Sequence, residues 1–320
     1  MNWTDRSPVG RANRLAWSVI GALLAIDLVW LTRSAVSVVP LSLATPVGAG
    51  LGMGAAAYYY RHCRGEFKLA DALDTVGQML AFMVVAALFS YLMATLGYPL
   101  QDAAFHALDR SLGLDWLAFL KAVDARPLLG TLLSASYASF IPQVLVLMLV
   151  LSFCGQGMVG RTTILAMMLS GTVTIVISGF LPAMAMFVHL GLTPADFPNL
   201  QPGAAVVHVA DMEVLRSGGP VLVDLAKAEG IITFPSYHAA LALLLLLGGW
   251  QNAWLRWPFF VVNVAMIVAT PIDGGHYFVD VFAGLAIAAA SYVVARRLLG
   301  LPAQARQPAA ARGEVLAAGH

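Results

Sequence analysis

Eight long apolar stretches divide the sequence, and they constrain the fold more than any other feature. A membrane-spanning helix needs about 20 mostly apolar residues, and each stretch is close to that length. Hydrophobic residues make up 60% of the 320 positions and charged residues 11%, whereas soluble domains carry about 25% charged residues. We therefore predict an all-α, polytopic membrane helix bundle with about eight transmembrane helices. The stretches cover residues 15–31, 36–60, 73–96, 128–153, 163–188, 234–250, 254–272 and 276–298.

The first two stretches need individual interpretation. Residues 15–31 follow a basic arm, but they are longer than the apolar segment of a signal peptide, which has about 7–15 residues. We interpret them as a retained first span. Pro40 and Pro46 interrupt residues 36–60, which predicts a kinked or partly re-entrant second span.

Lysine and arginine mark one side of the predicted membrane. These residues are enriched in cytoplasmic loops, and with eight spans the basic connecting segments all fall on the same side. We therefore predict that both termini are cytoplasmic and that the long loops around 97–127 and 189–233 face the periplasm or the outside. Alanine-rich composition and the use of arginine over lysine favour the inner membrane of a bacterial cell. The basic residues in question are Arg11, Arg14, Arg61, Arg64, Lys68, Arg161, Arg256, Arg296 and Arg297.

The segments outside the spans also carry structural predictions. Residues 100–127 have apolar side chains at helical spacing, which predicts an interfacial amphipathic helix broken at Gly113. Residues 221–228 have a helical pattern as well. The Ala-, Gln- and Pro-rich tail is predicted to be disordered. The predicted division is an N-terminal arm with two extra spans (1–68), a six-helix catalytic membrane core (69–300) and a disordered cytoplasmic tail (301–320).

Charge and cysteine content exclude several classes of partner. The net charge is +1 and no Lys/Arg-rich run is present, which argues against nucleic acid as a partner. Cys63 and Cys154 form no disulfide framework, so we predict two free thiols. We predict no cofactor and no resident metal.

Two short polar segments stand out against the apolar background. Residues 234–238 (Phe-Pro-Ser-Tyr-His) precede the sixth span, and residues 273–280 (Asp-Gly-Gly-His-Tyr-Phe-Val-Asp) enter the eighth. With eight spans both segments lie at the outer membrane face. A carboxylate such as Asp280, about one turn into an apolar span, is costly and marks a functional site by default.

The histidines and the aspartate of these segments are typical of phosphoryl chemistry. His276 and Asp280 are four residues apart and share a helical face if the eighth helix has begun by His276. A carboxylate fixes the imidazole tautomer and stabilises positive charge on the ring, so the other ring nitrogen can attack an electrophile. His238 can give a proton to the leaving oxygen. We predict that these three residues are catalytic and that a phosphohistidine forms.

Phosphate binding needs further groups. The Ser236 hydroxyl and the free N–H groups of a helix N-terminus can hold phosphate oxygens, and the glycine pair 274–275 lets a phosphate approach closely. Positive charge on the non-bridging oxygens is also required. Arg216 is favoured because its loop leads directly to His238. The predicted substrate-binding residues are Ser236, Gly275, Arg216, Arg110 and Arg126.

The segment Phe-Pro-Ser-Tyr-His-Ala-Ala, followed by Gly-His-Tyr-Phe-Val-Asp-Val-Phe-Ala-Gly, resembles the type 2 phosphatidic acid phosphatase superfamily. It looks most like the branch that includes inositol phosphorylceramide synthases. The resemblance is strongest over about residues 230–290 and weaker over 108–116 and 137–143. It implies a six-helix core in which His276 is the nucleophile and Asp280 orients it. His238 is then first the general acid and afterwards the base, and Ser236 binds phosphate.

One departure from the family pattern bears on the reaction. The phosphatase branch carries an arginine six positions before the last histidine, and here that position is Thr270. The missing arginine favours the synthase-like branch, in which a lipid or sugar hydroxyl accepts the phosphoryl group, over hydrolysis by water. In both versions the partner is a phospholipid or another lipid-linked phosphate in the membrane.

Two other functions use the same residues. His238, His276 and Asp280 could form a 2-His-1-carboxylate metal site, or a proton relay of a transporter. Clustering of the ionisable residues near one membrane face, and the absence of an inverted repeat in the sequence, argue against the transporter.

Overall fold

Helices form almost the whole molecule. The computed structural model describes residues 7–200 and 202–301, and two three-residue strands are paired in parallel there. The elements are α1 (Pro8–Leu31), β1 (Val36–Val38), α2 (Ala44–Tyr59), α3 (Phe67–Ala94), α4 (Asp102–Ser111), α5 (Trp116–Asp124), α6 (Pro127–Ala138), α7 (Phe140–Phe153), α8 (Gly157–Phe180), α9 (Met186–His189), α10 (Val209–Arg216), β2 (Val221–Val223), α11 (Tyr237–Trp250), α12 (Arg256–Asp273) and α13 (Phe278–Leu298). The predicted all-α helical bundle is confirmed.

Each predicted stretch contains a helix, but not every helix is long and apolar enough to be a span. Among the described residues, α1, α3, α8 and α13 could each cross a membrane by length and composition. α6 and α7 pass the same test together, with a bend of 56° between them. α2 has 16 residues and α11 has 14, fewer than the usual length of about 20. The structure thus supports four spans, or five with the bent pair, of the eight predicted.

The surface of the bundle is apolar along several helices. Large side chains such as Leu28, Val146, Val261 and Val293 are exposed. Soluble monomers rarely expose contiguous apolar patches larger than a few hundred Å². Together with the long apolar helices, these side chains indicate a membrane-embedded protein.

The bend between α6 and α7 has a clear local cause. Pro142 lacks an N–H group and its ring clashes with the carbonyl four residues earlier, so α6 ends at Ala138. Polar side chains stabilise the bend: Gln143 Nε2 donates to Ser139 Oγ at 2.9 Å, and Asn263 Nδ2 on α12 donates to Gln143 Oε1 at 2.7 Å. The bend fixes the end of α6, which carries Tyr137.

The N-terminal helices are docked onto the rest of the bundle. α1 contacts α3 and α8, and α2 contacts α3. Buried Arg161 on α8 pairs with Asp71 on α3 at 3.0 Å and donates to Asn13 on α1. Arg61 pairs with the same Asp71 at 3.2 Å and with Asp74 at 2.5 Å. We retain the division into extra spans and a catalytic core as a proposal.

The structure also bears on the predictions for the segments outside the spans and for the two cysteines. The amphipathic segment is helical and breaks at Gly113, whose φ is +75°. The helix expected over residues 221–228 is wrong, because Val221–Val223 pairs with Val36–Val38 as a strand. β-branched valines favour that conformation. Cys63 and Cys154 are free thiols. The predicted disordered tail lies, apart from Leu301, outside the described residues.

Candidate active site

The N-termini of α11 and α13 lie side by side and bring the two polar segments together. The Ser236 N–H donates to the Asp280 carbonyl at 3.0 Å. Gly284 on α13 faces the Ser236 carbonyl so closely that a Cβ at this position would overlap with it. A glycine on α13, one turn after the second segment, therefore permits the approach that joins both segments.

His276 and Asp280 form a buried pair. His276 Nδ1 lies 3.3 Å from Asp280 Oδ2, and the two residues are 3% and 0% exposed. They do not share a helical face, because α13 begins only at Phe278. Asp280 instead lies in the first turn, where its Oδ2 accepts the Tyr277 N–H at 2.8 Å. The pair therefore forms across the helix N-terminus, and the carboxylate serves as both cap and imidazole partner.

His276 lies in the connector between α12 and α13, outside the candidate spans. Burial lowers its pKa to about 4, and the carbonyl of Thr233 opposes this shift only in part. Burial therefore favours the neutral imidazole. A neutral ring whose Nδ1–H is donated to Asp280 keeps an unprotonated Nε2, which is the form required of a nucleophile.

His238 is positioned by the bent helix pair. Its Nδ1 lies 3.0 Å from Tyr137 Oη. The two rings are stacked at 4.2 Å, and Phe140 packs edge-on against the imidazole at 5.3 Å. Tyr137 and Phe140 flank the break between α6 and α7, so the break holds both aromatic rings against His238.

Gly274 lies between the side chains of Tyr137 and His276. A Cβ at Gly274 would lie 2.8 Å from Tyr137 Oη and 3.0 Å from His276 Nε2. The Tyr137 hydroxyl, which contacts His238, and Nε2 of His276 therefore border the same small volume. Gly275 has a different role, since its φ is +63° and a Cβ there would meet Ala205 and Ala185. Gly275 is predicted to bind substrate. In the structure, its backbone conformation and its close packing against two alanines require a glycine.

A cavity of about 470 Å³ opens beside Tyr137. Its polar lining comes from Thr131, Ser134, Asn199 and Asp273. Ser134 Oγ donates to Asp273 Oδ1 at 2.5 Å, and Asp273 Oδ2 has no partner among the described residues. None of the residues found to line the cavity is a lysine or an arginine.

The model of a known family matches residues 103–294, which is more than half of the chain, and its description is PAP2 superfamily. The chain belongs to the PAP2 superfamily. Members are generally phosphatases or phosphotransferases, so membership indicates an enzyme that acts on phosphoric esters. Comparisons with curated proteins and with solved structures gave no match.

The match to the PAP2 superfamily includes every residue of the candidate site. It begins in α4 and ends in α13, so that Tyr137, His238, His276 and Asp280 all lie inside it. α1, α2 and α3 precede it. The family assignment thus agrees with the family that the two polar segments resemble, while the assignment to one branch stays a prediction.

The three arginines predicted to bind phosphate in this PAP2 superfamily member have other contacts. Arg216 Nη2 donates to the Tyr98 carbonyl at 2.8 Å. Arg110 pairs with Asp115 at 2.6 Å, and Arg126 donates to the Ala122 carbonyl. The hydroxyl of Ser236 accepts the Ala239 N–H at 3.3 Å as the N-cap of α11. The structure thus brings Ser236 to the site but gives none of the arginines a contact with the triad.

Sequence reasoning missed the side chains that hold the catalytic connector in place. Asp109 on α4 accepts the N–H groups of Phe278 and Val279 at 2.8 and 2.9 Å. Asp102 accepts the Tyr277 hydroxyl at 2.8 Å, and Trp116 Nε1 donates to the Pro271 carbonyl at 3.1 Å. The available signal was the spacing of Asp102 and Asp109, which are seven residues apart and so lie on one face of α4. Both side chains are buried.

Proposed function

We propose that the chain is an integral membrane lipid-phosphate phosphatase or phosphotransferase that acts through a phosphohistidine on His276. One observation carries the proposal: His276, paired with Asp280, and the Tyr137 hydroxyl that contacts His238 both border the space at Gly274, beside a cavity. The superfamily supplies the class of reaction, and this arrangement supplies the candidate nucleophile and proton donor.

The proposed reaction has two steps. In the first, His276 Nε2 forms a bond to phosphorus, the bond to the leaving oxygen breaks, and His238 gives that oxygen a proton. In the second, neutral His238 removes a proton from water or a hydroxyl group, whose oxygen attacks phosphorus and releases His276. Asp280 stabilises the positive charge that develops on the His276 ring.

The phosphate oxygens need positive potential. The N-terminus of α11, which begins beside Ser236, supplies free N–H groups and the positive end of a helix dipole. Arg216, Arg110 and Arg126 remain proposed substrate-binding residues. Each of these arginines has to exchange its present partner before it can contact phosphate.

Transfer to a hydroxyl acceptor, as in the inositol phosphorylceramide synthase-like branch, is the second candidate. Thr270 occupies the position of the arginine found in the phosphatase branch, and it is a buried residue that donates to the Met266 carbonyl at 2.8 Å. The free volume beside Tyr137 offers room for an acceptor. We place the site at the periplasmic or outer face of a cell inner membrane, with both termini in the cytoplasm.

The function is tested with purified protein in detergent. A panel of lipid phosphates is offered with and without a hydroxyl acceptor, and free phosphate and new phospholipid are measured. We expect His276→Asn to lose turnover by about 10³-fold or more, because it removes the nucleophile. Acid-labile phosphate should be trapped on the unmodified protein and not on the variant.

His62→Asn is the matched control, since His62 is an exposed histidine in the turn after α2. It should keep the turnover of the unmodified protein. Full turnover in His276→Asn would disprove the assigned nucleophile, and failure of the unmodified protein on every phosphoric ester would disprove the function. Free phosphate without new phospholipid, when an acceptor is present, would favour hydrolysis over transfer.

A further inference from the structure

Tyr137 is a buried phenol for which the proposed function has no role so far. It lies at the end of α6, next to the break in the helix pair, and only 8% of its surface is exposed. The phenol oxygen lies 3.0 Å from His238 Nδ1. Among the contacts of the described residues, this is the hydrogen bond that the phenol makes.

The contact leaves one ring nitrogen of His238 for proton transfer. An imidazole whose Nδ1 is held by a hydroxyl can exchange protons only through Nε2. A phenol can accept from Nδ1–H or donate to a bare Nδ1, so it remains a partner in both protonation states of the ring. Stacking on Tyr137 and edge contact with Phe140 fix the plane of the ring at the same time.

We propose that Tyr137 is a positioning residue that holds Nδ1 of His238 in a hydrogen bond and makes Nε2 the atom that exchanges protons with the substrate. This inference rests on the proposed function. During the first step the doubly protonated ring of His238 passes its Nε2 proton to the leaving oxygen, as the bond from phosphorus to His276 forms and the bond to the leaving oxygen breaks, and the ring becomes neutral. During the second step Nε2 takes the proton of the incoming hydroxyl or water, while Nδ1–H stays donated to Tyr137 throughout.

The relation between Tyr137 and His238 parallels that between Asp280 and His276. In each pair an oxygen lies within hydrogen-bond distance of Nδ1, so Nε2 is the ring nitrogen left for proton or phosphoryl transfer. The partners differ in charge: a carboxylate favours the positive ring that a nucleophilic histidine becomes, whereas a neutral phenol leaves a proton-exchanging histidine free to cycle. The identity of each partner thus fits the role proposed for its histidine.

Tyr137→Phe tests the proposal, since it removes one oxygen and keeps the stacked ring. We expect kcat to fall by about 10–100-fold with KM changed by less than about three-fold, as for a group that acts in proton transfer. The pH limb of kcat that belongs to His238 should also move. In the background of His238→Gln, the added Tyr137→Phe change should cost no further activity, because the residue acts through His238.

A second readout does not depend on turnover. Diethyl pyrocarbonate modifies unprotonated imidazole nitrogens, so the rate at which His238 is modified, mapped by mass spectrometry across pH 5–8, reports how its ring nitrogens are held. We expect Tyr137→Phe to change this rate profile by about two-fold or more, because it frees Nδ1 from its hydrogen bond. Tyr237→Phe is the control, since its buried hydroxyl donates to the Met167 carbonyl at 3.0 Å and not to a histidine; it should leave the His238 profile in place.

The outcomes separate the inference from the function beneath it. An unchanged His238 modification profile in Tyr137→Phe overturns the positioning role, whether or not a substrate has been found. So does an equal loss of kcat in the presence and absence of His238, which would indicate a structural effect. A shifted profile in a protein that turns over no phosphoric ester supports the contact and overturns only the proposed function.

Discussion

Asp280 illustrates how one side chain serves both structure and chemistry. Its Oδ2 accepts the Tyr277 N–H at the start of α13 and also faces His276 Nδ1. Its Oδ1 has no hydrogen-bond partner among the described residues. Burial of a carboxylate is expensive unless it is well paired, which is typical of a functional rather than a purely structural residue.

Asp280→Asn should separate the two roles of the residue. The amide oxygen can still accept the Tyr277 N–H, so the start of α13 should persist, but the negative charge beside His276 is lost. We expect turnover to fall by roughly 10²–10⁴-fold, the range seen when a triad aspartate becomes an amide. Turnover and thermal stability are measured on the same purified sample.

Asp224→Asn is a suitable control for this change. Asp224 lies in the loop after β2, where its Oδ1 accepts the Ala226 N–H at 3.1 Å. It should keep full turnover. Retention of more than about a tenth of the activity in Asp280→Asn would argue that the carboxylate charge has little part in the reaction.

Helices α4 and α5 contact both sides of the connector that carries His276. Asp109 caps that helix by accepting two of its first N–H groups, and Trp116 holds the end of α12 through the Pro271 carbonyl. Burial raises the pKa of Asp109, and the two N–H donors oppose the shift. These two short helices thus fix both ends of the connector that carries His276.

Asp109→Ala should lower stability and activity together. It leaves the N–H groups of Phe278 and Val279 without their acceptor, which costs about 1–3 kcal/mol, and it loosens the position of Asp280. Ser7→Ala removes the N-cap of α1, whose Oγ accepts the Gly10 N–H at 3.0 Å. That control should lower thermal stability by a similar order of magnitude without lowering turnover per folded molecule. Equal turnover in the two variants would contradict a positioning role for Asp109.

In the whole bundle, the candidate site and the ion pairs between the N-terminal helices and α8 lie at opposite ends. The candidate site lies where α11 and α13 begin and α12 ends. The charged network of Arg161, Asp71 and Arg61 lies at the other end, where α3 and α8 begin. The separation accords with the proposed topology, in which the site is outside and the basic loops are inside.

The topology can be tested with one introduced cysteine and the two cysteines already present. Lys227→Cys places a thiol on an exposed position of the loop before α11, and we expect it to react with an impermeant thiol reagent in intact cells. The free cysteines Cys63 and Cys154 are exposed and predicted to be cytoplasmic, so they should react only after permeabilisation. The reverse pattern of labelling, read by mass spectrometry, would place the site in the cytoplasm.

The sequence predicted much of the site because its residues occur in two short segments. An ionisable residue inside an apolar stretch is costly, so Asp280, His276 and His238 were conspicuous before any contact was known. Apolar length located each helix, but several ends were wrong by six to eight residues: α1 begins at Pro8, not at 15, and α8 ends at Phe180, not at 188. Arg216, Arg110 and Arg126 were chosen by loop position alone, and a loop position does not determine which carbonyl or carboxylate a guanidinium will contact.

Apolar length was enough to predict the helical membrane bundle, because a segment in lipid has to satisfy its backbone hydrogen bonds as a helix. Polar residues inside apolar stretches were enough to identify the catalytic candidates. The packing of distant segments, in contrast, sets the start of α13 after His276, the cap that Asp109 gives α13, and the contact of Tyr137 with His238. These contacts join residues 101 and 169 positions apart. They depend on the bend at Pro142 and on the close approach at Gly284. Local composition predicts neither the partner nor the distance in such contacts.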